Sequence, residues 1–187
     1  KTKALSITEL NSDSKPPDLS SFDVVIDALW GSGINRPIVG FSGELIKKIN
    51  HSEAKIFSVD IPSGLHANQY NKSIKINADD VLSFEFPKLS FFLPENEAYI
   101  KNWDTRSIGI LENHINDMNV ANYYLDMPMI KSLIHERNTF SHKGDFGHVC
   151  IISGHKGMMG AAILASRACL KAGVGLLSCY IPSCGYE

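Results

Sequence analysis

The chain has 187 residues, 44% of them hydrophobic and 20% charged, with a formal net charge of -2. That balance belongs to globular proteins and excludes long disorder, and the lack of any Lys/Arg run argues against nucleic acid as a partner. No apolar segment approaches the roughly 20 residues of a membrane span, and Lys1 to Leu10 lack the apolar stretch of a signal peptide, so a cytoplasmic protein without a membrane partner is expected.

In chain order, FDVVIDALW (Phe22 to Trp30) reads as a strand buried on both faces. SGELIKKINHS follows as a helix with Ser42 as its N-cap and with Leu45, Ile46 and Ile49 on one stripe. KIFSVD is the next strand and ends at Asp60; SIKI, DDVLSF and RSIGIL read as further short strands. Strands alternating with helices predict parallel βαβ units, and right-handed crossovers place GSGINRP and DIPSGL at the carboxyl ends of neighbouring strands. In an open α/β sheet that edge binds ligands. After Ile110 the chain turns polar, and Asp126 with Pro128 marks one short helix in a linker. A second α/β unit then opens with HVCIIS as a strand, GHKGMMG as a glycine-rich turn, AAILASRACLKAG as a helix stopping at Gly173, and GLLSCYIP as a strand. Cys150, Cys169, Cys179 and Cys184 form no CxxC and have no His at metal-ligand spacing, so buried free thiols are expected.

Two strand ends carry the chemistry. In DALWGSGINRP, Asp27 is followed by Gly31 and Gly33, and such glycines let backbone amides approach an anion; the same pattern also serves a plain turn. Arg36 reaches a phosphate in the first reading and is merely solvated in the second. In DIPSGL, Pro62 keeps Ile61 out of helical geometry and so fixes Asp60 relative to Ser63, while Gly64 permits a left-handed backbone. Asp60 there can act as a general acid or base, hold a sugar hydroxyl, or simply cap the turn. Two carboxylates at one sheet edge favour a site. In HKGDFGHVCIISGHKGMMGAA, the small residues around Gly157, Gly160, Ala161 and Ala162 suit either a bulky ligand or close helix-sheet packing. His142 and Lys143 are phosphate or linker contacts, and His51, His114 and His135 read as surface residues.

VIDALWGSGINRP, FSVDIPSGLHAN and HKGDFGHVCIISGHKGMMGAAILASRACLKAGVGL, in that order over nearly the whole chain, resemble the bifunctional NAD(P)H-hydrate repair enzymes. The resemblance implies part of a Rossmann-like three-layer αβα epimerase domain over residues 1–112, a linker with a short helix over 113–141, and the start of a ribokinase-like α/β dehydratase domain over 142–187. One domain would interconvert the R and S hydrates of NADH or NADPH, and the other would remove water from the S form at the cost of a nucleotide phosphate. It further implies that Asp27 and Ser63 ligate potassium, and that Gly31, Ser32, Gly33, Ile34, Asn35, Arg36, Pro37 and Asp60 contact the hydrated dinucleotide. Asp60 would be the catalytic acid-base group, and Ala161 would line the hydrated-nucleotide site of the second domain. The implied cofactors are potassium and ADP or ATP, with Mg2+ as a further candidate, in a homo-oligomer.

The chain departs from that family in two places. The upstream Asn- and Gly-rich phosphate loop, with its further potassium ligand, has no counterpart in Lys1 to Phe22, and His66 stands where the family often has Asp. The family's later Gly-Asp catalytic motif would lie beyond Glu187, so the chain reads as an internal piece of a longer protein. A non-catalytic nucleotide-binding module and a ribokinase-like sugar or vitamin kinase are the competing readings. Asp60 favours an enzyme over the first, and DIPSGL upstream of HKGDFG argues against the second.

Overall fold

The computed structural model describes residues 6–134 and 136–185, so His135 lies outside the described residues. The chain divides into two compact units, Lys1–Tyr124 and Leu125–Glu187. It is an α/β protein with a Rossmann-like parallel sheet in its first unit.

That sheet has four strands, β1 (Val24–Asp27), β2 (Lys55–Val59), β3 (Ala78–Phe84) and β4 (Ile100–Arg106), in the spatial order of the sequence and all parallel. Side chains alternate across a strand, so the register pairs Val25 with Ile56 and Asp27 with Ser58 on one face. Helix α1 (Gly40–Asn50) covers this face, where Leu45, Ile46 and Ile49 meet Ile56, Val81 and Ile100 in the core. The expected stripe therefore forms, but the helix starts earlier than its sequence suggests. Its N-cap is Val39, which makes no side-chain cap, and Ser42 sits inside the first turn. Lys47 and Lys48 in the last turn complement the negative end of the helix dipole.

The other face corrects the reading of FDVVIDALW as a strand buried on both sides. Val24 is 48% and Ile26 69% exposed, and Leu82 and Phe84 share that open face, because α1 covers only the opposite one. Two further expectations fail for identifiable reasons. SIKI is not a strand: Lys75 is buried, its Nζ donates to the carbonyls of Asn71 and Ser73, and it lies over the Tyr70 and Tyr99 rings. Of RSIGIL, only Arg106 is in a strand. The actual strand β4 is disguised by Lys101, Asn102 and Asp104, exposed polar residues of the kind an edge strand tolerates.

The non-strand segment instead pins the turn after β2. Ile76 N–H donates to Ser63 O at 3.0 Å, and the Asn71 side chain donates to Gly64 O at 2.9 Å. Gly64 has φ of 94°, and a Cβ there would sit 2.3 Å from Ile74 O. Gly64→Ala therefore combines a disfavoured backbone with a backbone clash, and should lower the unfolding free energy by about 3 kcal/mol, read from urea denaturation.

Short helix α2 (Glu112–Asn116) lies in the first unit, and α3 (Met127–Leu133) opens the second, so the polar stretch holds two helices rather than one. Asp126 caps α3 by accepting from Met129 N–H at 2.8 Å, as Asp126 and Pro128 predict. In the second unit β5 (His148–Ile152) pairs in parallel with β6 (Leu176–Tyr180), joined by α4 (Gly160–Ala172), which ends on Gly173 at φ of 103°. The cysteines are free, but the expectation that they are buried fails. Cys150, Cys179 and Cys184 are exposed and Cys169 is half-buried, because a two-stranded sheet with one helix leaves much of its apolar surface open. Among the described residues no helix is long and apolar enough to cross a membrane.

Candidate active site

Asp27 closes β1 and Ser58 lies opposite it on β2, so parallel pairing brings their side chains together. Ser58 Oγ donates to Asp27 Oδ2 at 2.7 Å. The turn then adds Ser63, whose N–H donates to Oδ2 at 2.8 Å and whose Oγ donates to Oδ1 at 2.5 Å. Trp30 N–H donates to Ser63 Oγ at 3.0 Å, tying in the glycine-rich loop. Asp27 is 1% exposed and Ser63 0%, so this knot locks two strand ends and two loops.

The residues fit potassium in kind. A carboxylate, a hydroxyl and the Trp30 carbonyl, 3.4 Å from Ser63 Oγ, form an oxygen set of the type hard cations prefer. Ser63 Oγ keeps one lone pair after donating to Asp27 and accepting from Trp30. The bond most readily given up on Asp27 is the 3.4 Å one from Leu29 N–H to Oδ1. Among the described residues no three His, Cys, Asp or Glu side chains gather into a metal cluster of their own.

Asp60 occupies the next strand end. Its φ of 68° is in the left-handed region, which Asp tolerates better than most residues but which is uncommon outside glycine. Three contacts hold it there: its N–H donates to Leu82 O at 2.8 Å, Phe84 N–H donates to Oδ1 at 3.3 Å, and Ser32 N–H donates to Oδ2 at 3.3 Å. Lys88 Nζ reaches Oδ1 at 2.9 Å in an ion pair whose side chains are 16% and 11% exposed. Burial pushes the carboxyl up, but the Lys88 and Phe84 hydrogen bonds, the Lys88 charge and the Ser32 N–H outweigh it and hold the group below the ordinary aspartate value of 3.8. Gly31 packs against the same carboxylate: a Cβ there would lie 3.4 Å from Oδ2, in van der Waals contact.

Beside these groups Leu29, Trp30, Gly31, Gly33, Ile34, Asn35 and Arg36 line an open cleft of about 510 Å³. Ser32, Pro37, Asp27, Asp60 and Ser63 are outside that lining, and Ser32 reaches Asp60 through its N–H. Thus the structure gathers Asp27, the Gly31 to Arg36 loop, Asp60 and Ser63 at one sheet edge. Ala161 belongs to the second unit, where it is exposed in the first turn of α4. His142 caps a short 3-10 turn, accepting from Gly144 N–H while Asp145 accepts from its own N–H. The Nε2 atom of His66 is buried without a hydrogen-bond partner among the described residues. The sequence reading missed Ser58 and Lys88. Ser58 is legible only once the β1–β2 register is known, whereas Lys88 carried a signal: a basic residue after Pro87, just past a third strand leading to the same edge.

A family model for the YjeF-related protein N-terminus matches residues 1–90. Over those residues the chain is similar to YjeF-related N-terminal domains. It is also similar to proteins named bifunctional NAD(P)H-hydrate repair enzyme Nnr. It is 30% identical to that of Thermofilum pendens over 90% of this chain and 32% of the relative. The values are 34% identity over 92% and 31% for Methanothermobacter thermautotrophicus, and 30% over 84% and 30% for Escherichia coli K12. The chain spans about a third of the length of the curated relatives it matches. All the first-unit site residues, from Asp27 to Ser63, lie within the stretch matched by the YjeF-related domain. Lys88 is inside it too, near its end.

Proposed function

We propose that the YjeF-related domain interconverts the R and S hydrates of NADH and NADPH, with Asp60 as its acid-base group. The observation that carries this reading is an Asp60 carboxylate paired with Lys88 and accepting from Ser32 N–H of the glycine-rich loop, which lines the neighbouring cleft. The hydroxyl of the hydrate sits on the carbon next to the ring nitrogen. Asp60 takes the hydroxyl proton as the carbon–nitrogen bond opens, leaving an aldehyde and an electron pair on nitrogen. The proton is then returned to that nitrogen, and reclosure on the other face of the aldehyde gives the opposite epimer. A group that gives and takes one proton suffices for both directions. Backbone amides of the Gly31 to Arg36 loop and the Arg36 side chain suit the dinucleotide phosphates. Asp27 and Ser63 would hold a potassium ion, whose positive charge favours those phosphates.

The second unit is proposed as the beginning of a ribokinase-like dehydratase, with Ala161 at its hydrated-nucleotide site and ADP or ATP, with Mg2+, as its co-substrate. The proposed domain limits are 1–112, 113–141 and 142–187. The working protein is proposed to be a cytoplasmic homo-oligomer. Incubating the full-length protein with purified R and S hydrates, with and without ADP or ATP, tests the assignment. Epimer exchange without nucleotide supports it; nucleotide consumption on a sugar or vitamin with no effect on the hydrates would replace it with a kinase.

A depressed Asp60 also sets a pH profile. The base form persists until pH falls through the lowered value, so kcat/KM should stay flat from about pH 7 to pH 5, with its acid limb below 3.8. An acid limb near neutrality would assign the base to another group.

A further inference from the structure

Resting on the proposed epimerase reading, we infer that Lys88 is a positioning residue that fixes Asp60 as a base and selects which of its two oxygens meets the substrate. The ammonium group has three N–H donors. All three have acceptors here: Asp60 Oδ1 at 2.9 Å, Phe84 O at 3.0 Å and Phe86 O at 3.2 Å. Lys88 therefore has no donor left for a ligand, which separates it from a catalytic acid.

The local backbone is built for this capture. Beyond β3, Glu85 turns through a φ of 58°, held by its carboxylate accepting from Ser107 Oγ and Ile108 N–H, and Phe86 N–H closes back on Phe84 O at 2.7 Å. That reversal aims two carbonyls at one point, and Ser83 Oγ steadies the second by donating to Phe86 O at 3.1 Å. Pro87 then stiffens the chain before Lys88. The consequence falls on Asp60. Its Oδ1 is occupied by Lys88 and Phe84 N–H, while among the described residues Oδ2 accepts only the 3.3 Å bond from Ser32 of the cleft loop. Oδ2 is the oxygen left to take a proton. Among the described residues Lys88 is the sole ion-pair partner of Asp60, with no second cation to replace it.

The test compares wild type, Lys88→Met, Lys88→Gln and Lys88→Arg in the full-length protein, by epimerisation kinetics and by carbon-13 NMR titration of the Asp60 carboxyl, assigned with Asp60→Asn. Lys88→Met should lower kcat by about 100-fold with little change in KM, and should move the acid limb and the Asp60 titration upward. Lys88→Arg, which keeps the charge, should return the limb toward wild type. Lys88→Gln keeps a donor without the charge, so it answers the question if Lys88→Met does not fold. An Asp60 titration unchanged in the uncharged variants overturns the role of Lys88. Because the titration needs no turnover, a wild type that exchanges no epimers would sink the epimerase reading and still leave Lys88 decided.

Discussion

Asp60→Asn should lower epimer exchange by about 100- to 10,000-fold while leaving hydrate binding nearly intact. Asn retains the size of Asp and is among the few residues that accept the left-handed backbone at φ of 68°, so the turn should survive the change. The substitution removes the ability to take a proton and the charge facing Lys88. With the amide oxygen turned to Lys88 and Phe84 N–H, the Asn NH2 group faces Ser32 N–H and that 3.3 Å bond is lost, while the Trp30 N–H bond to Ser63 still ties the loop to the strand end. Equilibration of pure R hydrate, followed by chromatography, reads the rate, and a binding titration reads the affinity. Near wild-type exchange in Asp60→Asn would move Asp60 to a ribose- or loop-holding role and leave the proton-transfer group to be found elsewhere.

Asp27→Ala should have the largest effect on stability. The carboxylate accepts from Ser58 Oγ, Ser63 N–H and Ser63 Oγ, all buried, and more weakly from Leu29 N–H. Removing it leaves several donors without acceptors, at a cost of about 1–3 kcal/mol for each that stays unpaired, so a total loss of about 3 kcal/mol or more is expected in urea denaturation. The same residue carries the cation proposal. Potassium, compared with a bulky organic cation at equal ionic strength, should raise the melting temperature of wild type, because a ligand that binds only the folded state stabilises it. In Asp27→Ala that difference should vanish. Equal melting temperatures in both salts for wild type would show that Asp27 and Ser63 serve only as a hydrogen-bonded knot.

Much of the site's position was legible in the sequence. Val- and Ile-rich runs ending in Asp27 and Asp60, each followed by a turn with glycine, imply parallel strands whose carboxyl ends share an edge, and the β1–β2 pairing puts them there. The stripe Leu45, Ile46 and Ile49 likewise located the helix face, although the N-cap was misplaced because Ser42 looked like a better cap than Val39. What stayed hidden depended on tertiary contacts. Strand β4 has the polarity of a loop, and its pairing with β3 makes it a strand. SIKI has the alternation of a strand, but a buried Lys75 between two tyrosine rings gives it other work. Lys88 approaches Asp60 only because the chain reverses at Glu85, and nothing local in FEFPK states that its ammonium faces a carboxylate 28 positions earlier. The cysteines misled in the other direction, since apolar neighbours in sequence do not ensure cover in space.

Convergence of epimers reads out whether this sheet edge moves a proton to and from a hydrated nicotinamide ring. Pure R hydrate and pure S hydrate, incubated separately with the full-length protein and no added nucleotide, should reach the same R/S mixture far faster than in buffer, with Asp60→Asn close to the buffer rate. Two mixtures that remain as distinct as in buffer alone, in a protein shown to be folded, would mean that Asp60 does not epimerise the hydrate.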